Sequence, residues 1–475
     1  MSYSNSVEFF INDPASYFDH SGHAAQHVPP DELYDLQLAG LKKRFADLRD
    51  RIPVLTAVAD KANIHEITKL DDAAALLFPH TVYKSYPISL LEKSRFDQLT
   101  KWLSRLTTVD LTNVDLSGIN TIDDWLEALE LQTELRVLNS SGTSGTMSFL
   151  PRTLKECNRH FSTIRMSLDD AAMAADPTGE RTAADEFYHL VYLGYAEGRG
   201  GIQRVLKGFI KYIAGSEERF TPLYQGRMSS DVMFLAARMR AATARGEMLT
   251  LNISPALKAR RAEFEESQKN VGTALTKLFN ETIENLQGKR VFLFGTTNHV
   301  YEIAREGLSR GLKHVFAPGS IVHTGGGAKG AVLPSDWEEQ IQEFSGVPKL
   351  INSYGMSELM SANYLCERDR YHLQPWLIPF ILEPDEGTPL PREGVQTGRA
   401  AFFDLAASAY WGGFVSGDEV TIDWTPCECG RTTPHISKFV QRYSDKKGGD
   451  DKISCAAADE AHGSAADFLI SATAE

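Results

Sequence analysis

Residues 291–295 have the sequence VFLFG, a short apolar run between Lys289-Arg290 and two threonines. A run of this length without polar alternation is typical of a parallel strand that is buried on both faces of its sheet. Two further segments place a strand-like run before glycines: HVFAPGSIVHTGGG at 314–327 and VPKLINSYG at 347–355, with the helix-like SDWEEQIQEF between them. Alternating strands and helices predict an α/β fold whose functional loops gather at the strand ends.

The rest of the chain divides into regions of different pattern. Residues 1–135 have mainly helical apolar spacing, except that 14–30 is expected to be an extended arm, and 136–360 contain the alternating strands and helices. From 361 to 445 short β-like runs such as GRAAFFDL predict a β-rich subdomain that completes a cleft. Residues 446–475 are small and polar, and we expect them to form a short mobile tail.

Composition narrows the classes of protein to which this chain can belong. It has 475 residues and a net charge of −14, which disfavours non-specific binding to nucleic acid. No apolar run approaches the ~20 residues that span a bilayer, and the polar start MSYSNSVEFF is unlike a signal peptide. We therefore expect a cytoplasmic protein with no membrane span. The basic segment at 204–213 is expected to be a solvated helix face.

Residues 140–148 have the sequence SSGTSGTMS, which contains no charged side chain. Gly142 and Gly145 can adopt backbone angles that let successive N–H groups point into one concavity. Further donors are the hydroxyl groups of Ser140, Ser141, Thr143, Ser144 and Thr146. Such a loop can hold phosphates or can be a solvent-exposed turn. It is not a Walker loop, because the GxxxxGK[ST] pattern is missing there.

Three later motifs give this loop a context: HTGGGAKG at 323–330, NSYGMSE at 352–358 and SGDEV at 416–420. Together the four resemble the adenylate-forming superfamily, and the chain is similar over 30–475 to phenylacetate–CoA ligases and to LuxE-like long-chain acyl-protein synthetases. The resemblance implies an α/β adenylate-forming core with a helical N-terminal region, a β-rich subdomain and a truncated C-terminal domain. It implies that ATP and Mg²⁺ activate a carboxylic acid, expected to be a fatty acid, as acyl-AMP.

The resemblance also implies roles for individual residues around the phosphates. The loop at 140–148 would hold the β- and γ-phosphates. Many family members have a lysine near the end of this loop, where this chain has Ser148, so either Arg152 substitutes or backbone donors act alone. Glu358 would bind Mg²⁺, which a hard carboxylate oxygen suits. Ser357 would lie near the α-phosphate.

The nucleoside would be held by a second group of residues, again by resemblance. Tyr354, before Gly355, would lie against the adenine. One wall of the adenine site would be a glycine strip made of Gly325, Gly326 and Gly327. Asp418 would accept both ribose hydroxyls, and Arg442 would lie near the nucleotide at a hinge. His323 would either border the acyl pocket or be a structural histidine.

Four of the five cysteines follow residue 365. Cys366 and His372 are six residues apart, and Cys427 and Cys429 lie in CECGR. Three thiols and one imidazole are a full tetrahedral set for structural Zn²⁺, although they can equally be reduced cysteines in a β-rich core. Phenylacetate–CoA ligases with a similar CxCGR segment include members that bind zinc.

The last residues depart from the CoA-ligase pattern, which has a further domain with a catalytic lysine after the hinge. LuxE-like proteins also end early and carry the acyl group on a cysteine near the C-terminus, which GGDDKISC at 448–455 resembles. Cys455 would then capture the acyl group, with Lys452 lowering its pKa, and deliver it to an acyl-CoA reductase-type partner. The alternatives are free coenzyme A or a carrier protein as acceptor, a buried Cys455, or a non-catalytic nucleotide-binding protein. Lys446, Lys447 or Lys452 could instead replace the lysine of the missing domain in the adenylation step.

Overall fold

The computed structural model describes residues 3–140, 146–175, 187–246, 271–325, 332–384 and 387–446, together with 465 and 468–471. Helices dominate the chain before the first hairpin. The α-helices of this region are Tyr3–Asn12, Pro14–Tyr17, Gly22–Gln26, Pro30–Leu48, Pro53–Lys61, Ser89–Glu92, Phe96–Ser104 and Ile122–Gln132. Two segments, Leu70–Leu76 and His80–Lys84, are 3₁₀-helices.

The expectation of an extended arm at 14–30 is wrong. Two short helices form there because each has a side-chain cap: Asp13 accepts from the Ser16 N–H, and Ser21 accepts from the Ala24 N–H. The end of the second helix is held against the C-terminal part of the chain, since the Thr432 N–H donates to the carbonyl of Gln26 over 2.9 Å. The segment is therefore part of the folded body.

The strands are numbered along the chain as follows: β1 (Phe78–Pro79), β2 (Leu138–Asn139), β3 (Phe149–Leu150), β4 (His189–Gly198), β5 (Phe220–Met228), β6 (Val291–Thr296), β7 (Ile321–Gly325), β8 (Ile351–Tyr354), β9 (Asn363–Tyr364), β10 (Arg370–His372), β11 (Leu377–Leu382), β12 (Val395–Asp404), β13 (Gly413–Asp423) and β14 (His435–Arg442). The α-helices that follow β3 are Leu154–Ala175, Gly201–Phe209, Ser230–Arg245, Val271–Leu278, Thr297–Ser309 and Trp337–Ser345. Short π-helices extend two of these at Ile210–Ala214 and Phe279–Ile283, and the later 3₁₀-helices are Glu217–Arg219, Glu284–Leu286 and Tyr443–Asp445.

The first sheet has the strand order β5-β4-β6-β7-β8-β9, with parallel pairing from β5 to β8 and an antiparallel β9. Strand β6, which contains VFLFG, lies inside this sheet and is buried on both faces. Val291 and Leu293 pack into one hydrophobic cluster, whereas Phe292 packs into the other. Each of these side chains is at most 1% exposed. The predicted α/β class is confirmed.

The second sheet is antiparallel and has the order β10-β14-β13-β12-β11, with β1 added to β13 in parallel. The pairing of Phe78 with Phe414 ties the helical N-terminal region to this sheet. Its inner face packs on a cluster that includes Phe402 and Phe414 and also Tyr354 at the end of β8. The two sheets therefore meet where β8 ends.

The last described residues are docked on the N-terminal helices. Ala465 is 1% exposed and Leu469 is fully buried, and the Arg105 guanidinium lies 4.6 Å from the centre of the Phe468 ring. Arg105 Nη1 also donates to Ser471 Oγ over 3.0 Å. These few described residues pack against the folded body, and the mobility expected for 446–475 as a whole stays a prediction. Among the described residues, none of the helices combines the length and the hydrophobicity needed to cross a membrane.

Candidate nucleotide site and metal cluster

Residues 140–148 close a β-hairpin formed by the antiparallel pair β2 and β3. The Ser140 N–H donates to the Ser148 carbonyl over 3.2 Å, and the Ser140 hydroxyl donates to the Ser148 hydroxyl over 3.1 Å. The base of the loop is therefore closed, and Thr146 within it is half-buried. The remaining predicted donors, Ser141, Gly142, Thr143, Ser144 and Gly145, lie outside the described residues. Phosphate binding by this loop stays a prediction.

The hairpin is anchored at the carboxyl end of the parallel sheet. Asn139, only 1% exposed, forms a bridge to Gly200 just beyond β4, and its side-chain amide donates to Ser230 Oγ over 2.8 Å. The parallel strands β4, β6, β7 and β8 end along this same edge. Gly325 ends β7 there, whereas Gly326 and Gly327 lie outside the described residues. In α/β sheets this edge is where ligands bind.

A turn after β8 carries Ser357 and Glu358 to this edge. Arg152, which follows β3 and is 3% exposed, donates from Nη2 to the Ser357 carbonyl over 2.7 Å and from Nε to the Tyr410 hydroxyl over 3.3 Å. A Cβ placed on Gly201 would lie 3.8 Å from Ser357 Oγ, so the start of the Gly201–Phe209 helix also approaches this turn. Arg152 is thus held beneath the turn, and its substitution for the loop lysine stays a prediction.

Glu358 is half-buried in a cationic environment. Burial raises the pKa of its carboxyl group, and the effect is opposed by its own backbone N–H and then by three positive charges. These charges belong to Arg152, Lys84 and Arg442. A carboxylate so placed can bind a hard divalent cation such as Mg²⁺.

The two sheets are joined by a hydrogen bond between predicted site residues. The Tyr354 hydroxyl donates to Asp418 Oδ2 over 3.0 Å, and Arg442 Nε lies 3.7 Å from Asp418 Oδ1. Asp418 and Arg442 are register partners in β13 and β14. Burial, followed by the charge of Asp418, raises the pKa of Tyr354, which therefore stays protonated and able to donate. Gly355 beside it is exposed.

His323 on β7 is enclosed by aromatic rings. Its ring lies 5.0 Å from that of Phe294 at 10° and its Nε2 is 3.1 Å from Ser353 Oγ. Burial lowers the pKa of His323 to about 4, so its imidazole is neutral near pH 7. This neutral, stacked ring is what a structural histidine would show.

The four predicted zinc ligands come together. Cys366 lies between β9 and β10, His372 ends β10, and Cys427 and Cys429 lie in the loop between β13 and β14. Their ligand atoms all lie within 4.8 Å of one another, and Cys429 Sγ is 3.3 Å from His372 Nε2. The other ring nitrogen of the histidine lies 3.3 Å from Thr433 Oγ1, a contact that fixes the plane of the ring. A set of three thiols and one imidazole fits tetrahedral Zn²⁺.

Both cysteine segments adopt the same turn. The Cys366 N–H donates to the carbonyl of residue 370 over 2.9 Å, and the Cys427 N–H donates to that of residue 431 over 2.9 Å. The fourth residue of each turn has positive φ, at +54° for Asp369 and +93° for Gly430. The pKa of the Cys429 thiol is lowered, first by its hydrogen bond with Cys366. Two matching turns that point thiols at one centre are typical of a structural metal site.

Sequence reasoning missed a buried group of arginines at the end of β4. The expectation that 204–213 forms a solvated helix face is wrong for Arg204. This residue is 4% exposed and donates to Glu130 Oε1 over 3.0 Å. Lys207, one turn later, is exposed as expected. A signal was present in the acidic residues of the Ile122–Gln132 helix, but only the fold brings the two helices together.

No protein-family profile and no curated protein matches this sequence. Among solved structures, the chain is similar to an open conformation of 2-hydroxyisobutyryl-CoA ligase in complex with 2-HIB-AMP and CoA, with a TM-score of 0.47 and 14% identity, over 89% of this chain and 72% of that chain. It is also similar to ATP-bound MatB from Rhodopseudomonas palustris, with a TM-score of 0.35 and 12% identity, over 65% of this chain and 50% of that chain. The function proposed below therefore rests on the residues of this chain.

Proposed function

We propose that this protein is an ATP-dependent acid–thiol ligase. The observation that supports this best is the convergence, at one sheet edge, of three predicted nucleotide elements. The hairpin loop is anchored there through Asn139, the Ser357–Glu358 turn is held by Arg152, and Asp418 is joined to the turn's strand through Tyr354. Such a place offers donors for phosphates, a carboxylate for a divalent cation and a carboxylate for a ribose diol.

The reaction has two balanced steps. A carboxylate oxygen of the acid attacks the α-phosphorus of ATP, the bond from that phosphorus to the bridging oxygen breaks, and pyrophosphate leaves with the electron pair. A thiolate then attacks the carbonyl carbon of the acyl-AMP, the carbon–oxygen bond to AMP breaks, and a thioester and AMP result. The thiol proton goes to solvent.

Mg²⁺ bound at Glu358 would neutralise charge on the triphosphate. Every other contribution comes from the chain. Arg152 fixes the Ser357–Glu358 turn through the Ser357 carbonyl. Asp418, whose Oδ2 already accepts a hydrogen bond from Tyr354, would orient the ribose. Zn²⁺ would be held by Cys366, His372, Cys427 and Cys429. It would link the β9–β10 segment to the β13–β14 loop and would take no part in the chemistry.

We propose Cys455 as the thiol, with Lys452 beside it, a fatty acid as the substrate and an acyl-CoA reductase-type protein as the recipient. Cys455 and Lys452 lie outside the described residues, and the support for them is the resemblance of GGDDKISC to the LuxE-like arrangement. Free coenzyme A or a carrier protein is the alternative acceptor.

Two measurements test the proposal separately. Exchange between ATP and labelled pyrophosphate, promoted by a carboxylic acid, tests the first step, and Glu358→Gln should abolish it while Glu343→Gln, an exposed helix residue paired with Lys313, should not. Failure of every linear and aromatic acid to promote exchange would refute the ligase. Intact-protein mass spectrometry tests the second step: an acyl mass that is lost in Cys455→Ala and released by hydroxylamine supports the acyl-protein route, and coenzyme A thioester made by Cys455→Ala refutes it.

A further inference from the structure

The turn that carries Glu358 is held on both sides by buried charged groups. On the N-terminal side, Arg152 Nη2 donates to the Ser357 carbonyl over 2.7 Å. On the C-terminal side, the Met360 N–H donates to Asp404 Oδ2 over 2.5 Å. Arg152 is 3% exposed and Asp404 is fully buried. The backbone around the residue that we propose for Mg²⁺ is therefore fixed at two points, of which only Arg152 was predicted from the sequence.

Both carboxylate oxygens of Asp404 accept backbone N–H groups. Oδ2 accepts from Met360, and Oδ1 accepts from Ala406 over 2.9 Å. Burial raises the pKa of Asp404, and the effect is opposed by these two hydrogen bonds and then by the charges of Arg152 and Arg159. An asparagine has one acceptor oxygen and an amide group that only donates, so it cannot serve both N–H groups. The position therefore requires a carboxylate.

Asp404 ends β12 and begins a closed loop that leads to β13. Its N–H donates to the Gly412 carbonyl over 3.0 Å, which brings the two ends of the loop together. A Cβ on Gly412 would lie 2.3 Å from the Asp404 carbonyl oxygen, so only glycine permits this close return. The same loop carries Tyr410, whose hydroxyl accepts from Arg152 Nε over 3.3 Å. One loop therefore contacts both groups that hold the Glu358 turn.

The loop is itself held by buried charged side chains from two helices. Arg44 Nε donates to the Leu405 carbonyl over 2.8 Å, and Arg159 Nη1 donates to the next carbonyl along the loop. Glu156 Oε1 accepts two further N–H groups of the loop, over 2.6 and 2.9 Å. None of these three charged residues is more than 4% exposed. The loop thus has its own attachments to the helices, independent of the Glu358 turn.

We propose that Asp404 is a positioning residue for Glu358, which it controls through the Met360 N–H. The inference rests on the proposed function and adds to it a buried residue that would act only through the turn. Groups that hydrogen-bond to the support of a metal ligand commonly change metal affinity by about 10- to 100-fold when they are replaced. Loss of the Asp404 carboxylate should therefore weaken the contribution of Mg²⁺ to ATP binding.

The test is calorimetric titration of the full chain with an ATP analogue that has a methylene bridge between the α- and β-phosphorus. Titrations with and without Mg²⁺ give the gain in affinity that the metal provides. Asp404→Asn should reduce this gain about tenfold or more, as Glu358→Gln should, while the affinity without Mg²⁺ changes little. A purely structural defect would lower both affinities together, so the ratio separates positioning from stability.

The matched control is Asp231→Asn. Asp231 is 3% exposed, and its two oxygens accept the N–H groups of Ile122 and Asp123 over 2.8 and 3.1 Å. It is therefore a buried carboxylate with two backbone donors, like Asp404, but it does not contact the Glu358 turn. Asp231→Asn should destabilise the protein to a similar degree and leave the gain from Mg²⁺ unchanged.

A second measurement needs no variant and keeps the test valid if Asp404→Asn does not fold. Coupling between two sites is reciprocal, so metal binding at the turn should strengthen the bond between Met360 and Asp404. Hydrogen exchange of the Met360 amide in the wild type should be slower with Mg²⁺ and the analogue than with the analogue alone. The Ile122 amide, which donates to Asp231, should exchange equally in both.

An unchanged gain from Mg²⁺ in Asp404→Asn would overturn the inference, as would equal losses of this gain in Asp404→Asn and Asp231→Asn. Exchange of the Met360 amide that does not respond to Mg²⁺ would overturn it as well. A wild type whose affinity does not depend on Mg²⁺ would refute both the metal role of Glu358 and this inference. Pyrophosphate exchange by the wild type tests the ligase separately, so an active enzyme with a normal Asp404→Asn variant would overturn this inference alone.

Discussion

The Tyr354 hydroxyl donates to Asp418 across 3.0 Å and so joins the parallel sheet to the antiparallel one. Tyr354 ends β8 and Asp418 lies within β13, 64 residues later. The bond leaves the second oxygen of Asp418 facing Arg442. A single phenol thus positions the carboxylate that we propose for the ribose.

Replacing Tyr354 by Phe should destabilise the protein by about 1.5–3 kcal/mol, because a buried carboxylate loses a donor. Affinity for ATP should fall as well, since the orientation of the Asp418 carboxylate then depends only on its other contacts, among them Arg442. Urea unfolding and the ATP dependence of pyrophosphate exchange measure the two effects. Tyr371→Phe is the control, because that hydroxyl contacts Asn352 at 3.5 Å and not Asp418. Equal behaviour of the two variants would contradict a special role for Tyr354.

Arg152→Lys should slow acid-dependent pyrophosphate exchange by about 10- to 100-fold, which corresponds to one hydrogen bond made by a charged group. A lysine has no planar fork and cannot reach both the Ser357 carbonyl and the Tyr410 hydroxyl. The rate constant at saturating ATP is the measurement. Tyr410→Phe removes only the weaker 3.3 Å contact and should retain most of the activity. An unaffected rate in Arg152→Lys would show that the turn positions itself without the arginine.

Purified protein should contain one zinc per chain, and Cys429→Ser or Cys366→Ser should lose it. Structural zinc contributes about 10–16 kcal/mol in zinc-finger peptides, so loss should destabilise far more than an ordinary substitution. Elemental analysis and melting with and without a chelator measure this. Cys157→Ser is the matched control, since that cysteine is buried but lies outside the cluster. A metal-free protein with an unchanged melting temperature after chelation would leave the four residues as reduced core groups.

The folded protein should lose stability as the pH falls below about 6.5, and His323 should account for part of the loss. Its pKa is near 4 when folded and about 6.5 when exposed. A lowered folded pKa means that the unfolded chain binds the proton first, so stability is full above about pH 6.5 and declines towards pH 4. This group alone should cost about 2 kcal/mol at pH 5.

Denaturant unfolding at pH 7 and pH 5 measures that difference. His323→Gln should reduce the pH dependence by about 2 kcal/mol over this interval, whereas His65→Gln, at an exposed position, should not change it. A full pH dependence in His323→Gln would place its origin in other groups, of which the buried His160 is the first candidate.

The sequence was most informative where local pattern and burial agree. VFLFG predicted a strand buried on both faces, and its residues do pack into two different clusters. The expectation of an extended arm at 14–30 is wrong because Asp13 and Ser21 each accept a capping hydrogen bond at the start of a short helix. A few capping hydrogen bonds thus determine whether a short polar segment is helical or extended.

Contacts between distant segments were predictable only in part. The sequence analysis placed Cys366 and Cys429 in one set, because three thiols and one imidazole suit one Zn²⁺, and the fold brings them together. The burial of Arg204 against Glu130 was not predicted, because the acidic residues of the Ile122–Gln132 helix do not indicate which basic residue they meet and a charged residue on a helix is ordinarily solvated. The ion pair of Arg204 with Glu130 forms because the Gly201–Phe209 and Ile122–Gln132 helices approach each other near the end of β4.

Because residues 465 and 468–471 pack against the folded body, the segment that contains Cys455 is attached to that body on both sides. Cys455 is nine residues from Lys446 and ten from Ala465, so it can lie no farther than about 30 Å from the first and about 35 Å from the second. The thioester that we propose for this cysteine would therefore stay within reach of both Lys446 and Ala465. A recipient protein would have to bring its own active site to that region.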